Sequence, residues 1–156
     1  MAQAEKTKPV SLVLAGFLPF RLNRLSDFVS LNLSEVYTDR FGLEIPEWRV
    51  LVTVGQQQDC TAQHVVHSTR MHKTRVSRAV AALLKRKLIS RVVNEQDGRE
   101  ARLRLSAAGL RMYAALVPMA LERERALMSC LTQQQCKAFT AALSLLEEKL
   151  GLNADE

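Results

Sequence analysis

From Thr61 to Val93 the chain carries eight Lys or Arg residues (Arg70, Lys73, Arg75, Arg78, Lys85, Arg86, Lys87 and Arg91) and neither Asp nor Glu. Elsewhere fourteen basic residues face all sixteen acidic ones, so the formal charge of +6 is concentrated in one block. Such a block suits a polyanion, and its spacing is more specific than its charge. Wound as a helix, Arg70, Lys73, Thr74, Ser77 and Arg78 share a face opposite Val76, Val80 and Leu83. A DNA major groove about 12 Å wide admits one such helix. Thr and Ser are short enough to let it approach base edges, and Arg offers the two-pronged donor that guanine accepts. Arg75 lies in the same stretch. Lys85, Arg86 and Lys87 lie too far along to reach the same bases and are assigned to flanking phosphates or solvent.

A second cluster follows. Leu88 to Val93 is rich in β-branched residues, and Ala101 to Leu105 alternates Leu103 and Leu105 with Arg102 and Arg104. The Asp97-Gly98 pair between them is a hairpin turn signal. The expected product is a two-stranded ribbon, on which Arg91, Arg99 and Arg102 would meet the neighbouring DNA backbone or minor groove. Asp97 would tether Arg99 or cap the turn.

These groups need a scaffold. Thr61 is a good N-cap for a short helix carrying Val65 and Val66, and a basic helix beginning between Arg70 and Lys73 and reaching about Lys87 completes a helix-turn-helix. Upstream, Leu18, Leu22, Leu25, Val29 and Val36 form one stripe on a long helix, widened by Phe17, Phe28 and Leu33. Gly42 can end it and Pro46 can open the next, a short helix over Glu47–Val54 with Trp48, Leu51 and Val52 inward and Gly55 closing it. Downstream, Ser106 can cap a helix over about Ala107–Ser129, with Gly109 tolerated in its first turn and Pro118 bending it. A last helix over Gln133–Leu150 carries Cys136, Phe139, Leu143, Leu146 and Leu150 on one face, and Gly151 ends it. The fold class is mainly α with a small β-hairpin wing: a DNA-binding lobe over residues 41–108, flanked by dimerisation helices over 1–40 and 109–156. The wide apolar faces of the flanking helices ask for a second subunit.

A chain of 156 residues, 47% apolar and 24% charged, has room for one compact core. No apolar run is long enough to cross a bilayer, no export signal is visible at the N-terminus, and the expected location is the cytoplasm. Three cysteines, an odd number, argue against a disulfide framework. No glycine-rich phosphate loop, nucleophile elbow or paired carboxylates near a histidine is present, which argues against an enzyme and gives no reason to expect a cofactor. Cys60, His64 and His67 have a spacing that could gather three metal-capable groups, but no fourth ligand is evident, and no metal is expected. A metal- or redox-responsive regulator of the same fold and a winged-helix protein-interaction module are the other readings. Arg21, with Leu25, Phe28 and Trp48, is a candidate lining for a pocket that takes a carboxylate-bearing effector.

The segment from Thr61 to Gly109 resembles the MarR family of winged helix-turn-helix transcriptional regulators. The resemblance rests on Val76-Ser77-Arg78, on Leu84-Lys85-Arg86-Lys87-Leu88-Ile89-Ser90-Arg91, on Asp97-Gly98-Arg99 and on Leu105-Ser106-Ala107-Ala108-Gly109. The order of flanking helices fits too. Lys87 stands where the family usually has glycine, and Asp97-Gly98-Arg99 where Asp-Arg-Arg is common. The resemblance implies a two-fold dimer held by its terminal helices, an operator of pseudo-palindromic double-stranded DNA, and a small anionic, often aromatic, effector bound between the dimer helices and the DNA-binding lobe. It also implies no peroxide sensing, because family members that sense organic hydroperoxides keep their reactive cysteine in the first helix, where this chain has none.

Overall fold

A computed structural model of the protein describes residues 11–93 and 101–152. Asp97, Gly98 and Arg99 lie outside the described residues. The chain divides into two units, residues 1–32 and 33–156. Among its described residues the first holds a 3-10 turn, Leu14–Gly16, and the opening turns of α1 (Leu18–Phe41), with Leu18, Leu25 and Phe28 exposed. The second holds the end of α1, then α2 (Ile45–Gln57), β1 (Cys60–Thr61), α3 (Ala62–Thr69), α4 (Lys73–Lys85), β2 (Ile89–Val93), β3 (Ala101–Leu105), α5 (Ala107–Met128) and α6 (Gln133–Lys149). The architecture is mainly helical with one small sheet, the expected class. Among the described residues no helix is long and apolar enough to cross a membrane.

Local chemistry sets most boundaries. Gly42 adopts φ +60° after the last turn of α1, and its N–H donates to the Thr38 carbonyl at 2.8 Å. Pro46 lies in the first turn of α2, and the Glu47 carboxylate accepts the Glu44 N–H at 3.0 Å. Thr61 caps α3 by accepting the His64 N–H at 3.0 Å, and Ser106 caps α5 by accepting the Gly109 N–H at 3.0 Å. At α6 the Thr132 hydroxyl accepts the Gln135 N–H while the Gln135 side chain accepts the Thr132 N–H, a capping box.

Three expectations need correction. Gly55 does not close the second helix, which continues to Gln57 and ends at Gln58 in the left-handed region. Glycine is needed at 55 for another reason: a Cβ there would lie 2.5 Å from the Tyr113 ring of α5. The wing is also not a lone ribbon. β1 joins it, in the antiparallel order β1-β3-β2, with Cys60 opposite Leu103 and Ile89 opposite Leu105. Finally, α4 stops at Lys85, because the chain turns into a Schellman motif: the Leu88 N–H donates to Leu83 O and the Lys87 N–H to Leu84 O, both at 2.9 Å, with Lys87 at φ +56°.

The core of the second unit gathers Tyr37, Leu43, Val50, Leu51, Val54, Val65, Val76, Val80, Leu83, Leu103 and Leu116, all at most 2% exposed. Fully burying each such aliphatic side chain stabilises by about 1.5–3 kcal/mol. The expected inward residues Trp48 and Val52 are only half-buried. Trp48 stacks on Tyr37 with ring centroids 5.0 Å apart. On α6, Cys136 and Leu143 are half-buried, while Phe139, Leu146 and Leu150 are exposed.

Candidate nucleic-acid interface

The reading helix is built from its buried side outward. Val76, Ala79, Val80 and Leu83 are at most 4% exposed and press α4 onto α2 and α3. Burying those four forces Lys73, Thr74, Arg75, Ser77 and Arg78 outward, and all five are exposed. The helix is 13 residues, about 20 Å, long enough to lie in a groove. A tight turn, Arg70 to His72, joins it to α3. Arg70 takes φ +54° there, Met71 is buried at 6% as the anchor, and the His72 ring nitrogen Nδ1 accepts the Thr74 N–H at 3.3 Å. Arg70 is itself exposed beside the face.

The structure thus places Arg70, Lys73, Thr74, Arg75, Ser77 and Arg78 together on the outward side of the helix-turn-helix. It adds one residue the sequence reading passed over. Ala81 is exposed seven residues after Thr74 and three after Arg78, on the same stripe. A small methyl there suits contact with the thymine methyl. The helical repeat itself was the signal. Alongside, a cleft of about 880 Å³ is bordered by Glu44, Glu47, His72, Thr74, Arg75 and Arg78, so acids of α2 face cations of α4 across it.

The wing residues fall on two faces. Paired residues of a sheet lie on the same side, so Arg91, opposite Leu103, shares that side, while Arg102, opposite Val92, points the other way. Arg102 and Arg104 converge on Asp59, whose Oδ2 lies 3.5 Å from Arg102 and 2.7 Å from Arg104. The Arg104 hydrogen bond, helped by both cationic charges, holds the Asp59 carboxyl below its ordinary range. Arg102 is therefore partly engaged by Asp59 although exposed, while Arg91 is exposed on the side of the sheet that it shares with Leu103.

Cys60 is buried at 5%, and burial pushes its thiol pKa up, which makes it a poor nucleophile or metal ligand. Among the described residues no group of three or more His, Cys, Asp or Glu could hold a metal ion. Of the candidate effector residues, Arg21, Leu25 and Phe28 lie on the part of α1 in the first unit, and Trp48 lies on α2 in the second.

The family model described as MarR family matches residues 41–100, the stretch from the last residue of α1 to the residue before β3. Over that segment the chain is similar to the MarR family. Solved MarR-family structures share its fold over nearly its whole length. A MarR/EmrR family regulator from Acinetobacter sp. ADP1 superposes with TM-score 0.81 at 25% identity, covering 90% of this chain and 99% of its own. A MarR family regulator from Silicibacter pomeroyi DSS-3 gives 0.78 at 25%, covering 90% and 99%. BpsR of Bordetella bronchiseptica, whose DNA binding is regulated by 6-hydroxynicotinic acid, gives 0.78 at 19%, covering 88% and 98%, a likeness of fold alone. No curated protein matches the sequence. The fold is one that solved MarR-family transcriptional regulators share.

Proposed function

We propose that this chain is a cytoplasmic, homodimeric, sequence-specific DNA-binding repressor, released from a pseudo-palindromic operator by a small anionic effector. The observation that carries the reading is the outward face of α4: Lys73, Thr74, Arg75, Ser77 and Arg78 stand exposed on a helix whose other side is sealed by Val76, Val80 and Leu83. In this reading Thr74, Ser77 and Arg78 read bases, while Arg70, Lys73, Arg75, Arg91, Arg99 and Arg102 meet phosphate or the minor groove. Residues 1–40 and 109–156 serve dimerisation, and 41–108 form the reading lobe. Support for a second subunit comes from apolar side chains left in solvent on both terminal segments, among them Leu25 at 52%, Phe28 at 66%, Leu145 at 67% and Leu150 at 72%. Two heads would then read half-sites about one helical turn apart.

The proposed effector is an aromatic acid or its thioester, with Arg21 meeting the carboxylate and Leu25 and Phe28 the ring. 6-Hydroxynicotinic acid, which regulates BpsR, is an aromatic acid. Arg21→Ala should abolish release of the DNA complex by such acids, and an unchanged response would remove Arg21 from the pocket.

Anisotropy titration against a duplex selected by the protein from a random-sequence pool tests the central claim. Affinity should fall steeply with salt, by a slope of about 0.9 per phosphate neutralised. Arg78→Ala should weaken selected-duplex binding by about 1–3 kcal/mol and relax the preference at one base. Salt-insensitive binding, or an Arg78→Ala variant equal to wild type, would overturn it.

A further inference from the structure

Arg86 ends the reading helix and belongs to the basic block, yet its side chain turns back into the protein. Its two terminal guanidinium nitrogens donate to the carbonyls of Gly42, at 2.8 Å, and Phe41, at 2.6 Å. Those are carbonyls left open where α1 ends. The Glu47 carboxylate lies 3.8 Å from the same guanidinium and also accepts the Glu44 N–H that opens α2. Three helix ends therefore meet at one planar cation: the C-terminal ends of α1 and α4 and the N-terminal end of α2. A rigid fork can hold two carbonyls at once, which a lysine ammonium on a flexible stem does not reproduce.

We propose that Arg86 is a positioning residue for DNA recognition: it ties the reading helix to the end of α1 and does not contact phosphate. The inference rests on the DNA-reading role of α4. Arg78 lies eight residues from Arg86, about 12 Å along the helix axis, so a small tilt at the tie is carried to the reading face. Base hydrogen bonds weaken steeply with distance and angle, whereas attraction to phosphates tolerates such a shift. Losing the tie should therefore harm selective binding more than binding to DNA in general.

The test compares wild type, Arg86→Lys and Arg86→Ala on the selected duplex and on an unselected random-sequence duplex over a range of salt, at a temperature where circular dichroism shows each variant folded. Both variants should lose roughly tenfold on the selected duplex. Both should stay within about twofold of wild type on the unselected one and keep the wild-type salt slope. Lysine, which keeps the charge, should not rescue. A slope reduced by about one in Arg86→Ala and restored in Arg86→Lys would show a phosphate contact and overturn the proposal. Equal losses on both duplexes would reduce Arg86 to a support of the fold, and wild-type behaviour of both variants would also refute it. If the wild type itself shows no salt-dependent DNA binding, the DNA-reading role fails and the inference falls with it.

Discussion

Gly109→Ala opposes two physical effects of different sign. Gly109 lies in the first turn of α5, and helix propensity alone favours alanine there by about 1 kcal/mol. The structure reverses the sign, because a Cβ at 109 would sit 1.9 Å from the carbonyl oxygen of Leu88, whereas real Cβ contacts essentially never fall below 3.0 Å. The backbone would have to open by more than an ångström. The same carbonyl accepts the Ser106 N–H at 3.0 Å and the Ser106 hydroxyl at 3.1 Å, so the opening breaks the joint between α5 and the base of β2. Overpacking costs about 1–3 kcal/mol and each lost hydrogen bond about 1 kcal/mol, for a net loss of about 3 kcal/mol after the propensity gain. For a chain of this size that corresponds to a fall of about 6–12 °C in the melting midpoint. Urea and thermal unfolding at fixed protein concentration would measure it, with Ala107→Gly at the exposed start of the same helix as a control expected to lose about 1 kcal/mol or less. A Gly109→Ala protein as stable as wild type, or more so, would refute the close-approach argument.

Lys87 occupies the left-handed C′ position of the α4 Schellman motif, so Lys87→Gly should remove strain of about 1 kcal/mol or slightly more, partly offset by the greater freedom of glycine when unfolded. A rise of about 2 °C in the thermal midpoint is expected, and a fall would count against strain at that residue. Asp59 has a folded pKa held below its unfolded value, chiefly by the Arg104 hydrogen bond, so its contribution is complete above about pH 5 and fades as pH drops through the folded value. The stability gap between wild type and Asp59→Asn should thus be widest near pH 6 and close on acidification, and a gap that widened at pH 3 would contradict the pairing. Burial, slightly eased by Arg49, pushes the Tyr37 hydroxyl up to about 12, which keeps the folded form protonated after the unfolded form ionises. Stability should fall as pH rises from 10 towards 12, and Tyr37→Phe should flatten that decline, as urea unfolding across the range would show.

The helical lobe and its outward cationic face were legible because their signals are local. Thr61 and Ser106 cap with their own side chains, Gly42 and Pro46 act through backbone geometry, and the alternation of Val76, Val80 and Leu83 with Thr74, Ser77 and Arg78 follows from 3.6 residues per turn. No partner beyond a few residues is needed for any of these. Lys87 marks the boundary of that legibility. The resemblance marked it as an unusual residue for its place, but only the backbone at φ +56° shows why glycine would suit that place better.

Tertiary structure decided everything that depends on which distant group arrives. Gly55 reads as a helix stop until Tyr113 packs against it, and Gly109 as a tolerated blemish until the Leu88 carbonyl closes on it. Arg86 and Arg102 have the same charge in the sequence as Arg78, but carbonyls 44 and 45 residues away claim one and Asp59 claims the other, while Arg78 stays in solvent. Periodicity specifies the direction in which a side chain leaves its own helix. What it meets there is set by packing of segments far apart in the chain, and no short window of sequence contains that information.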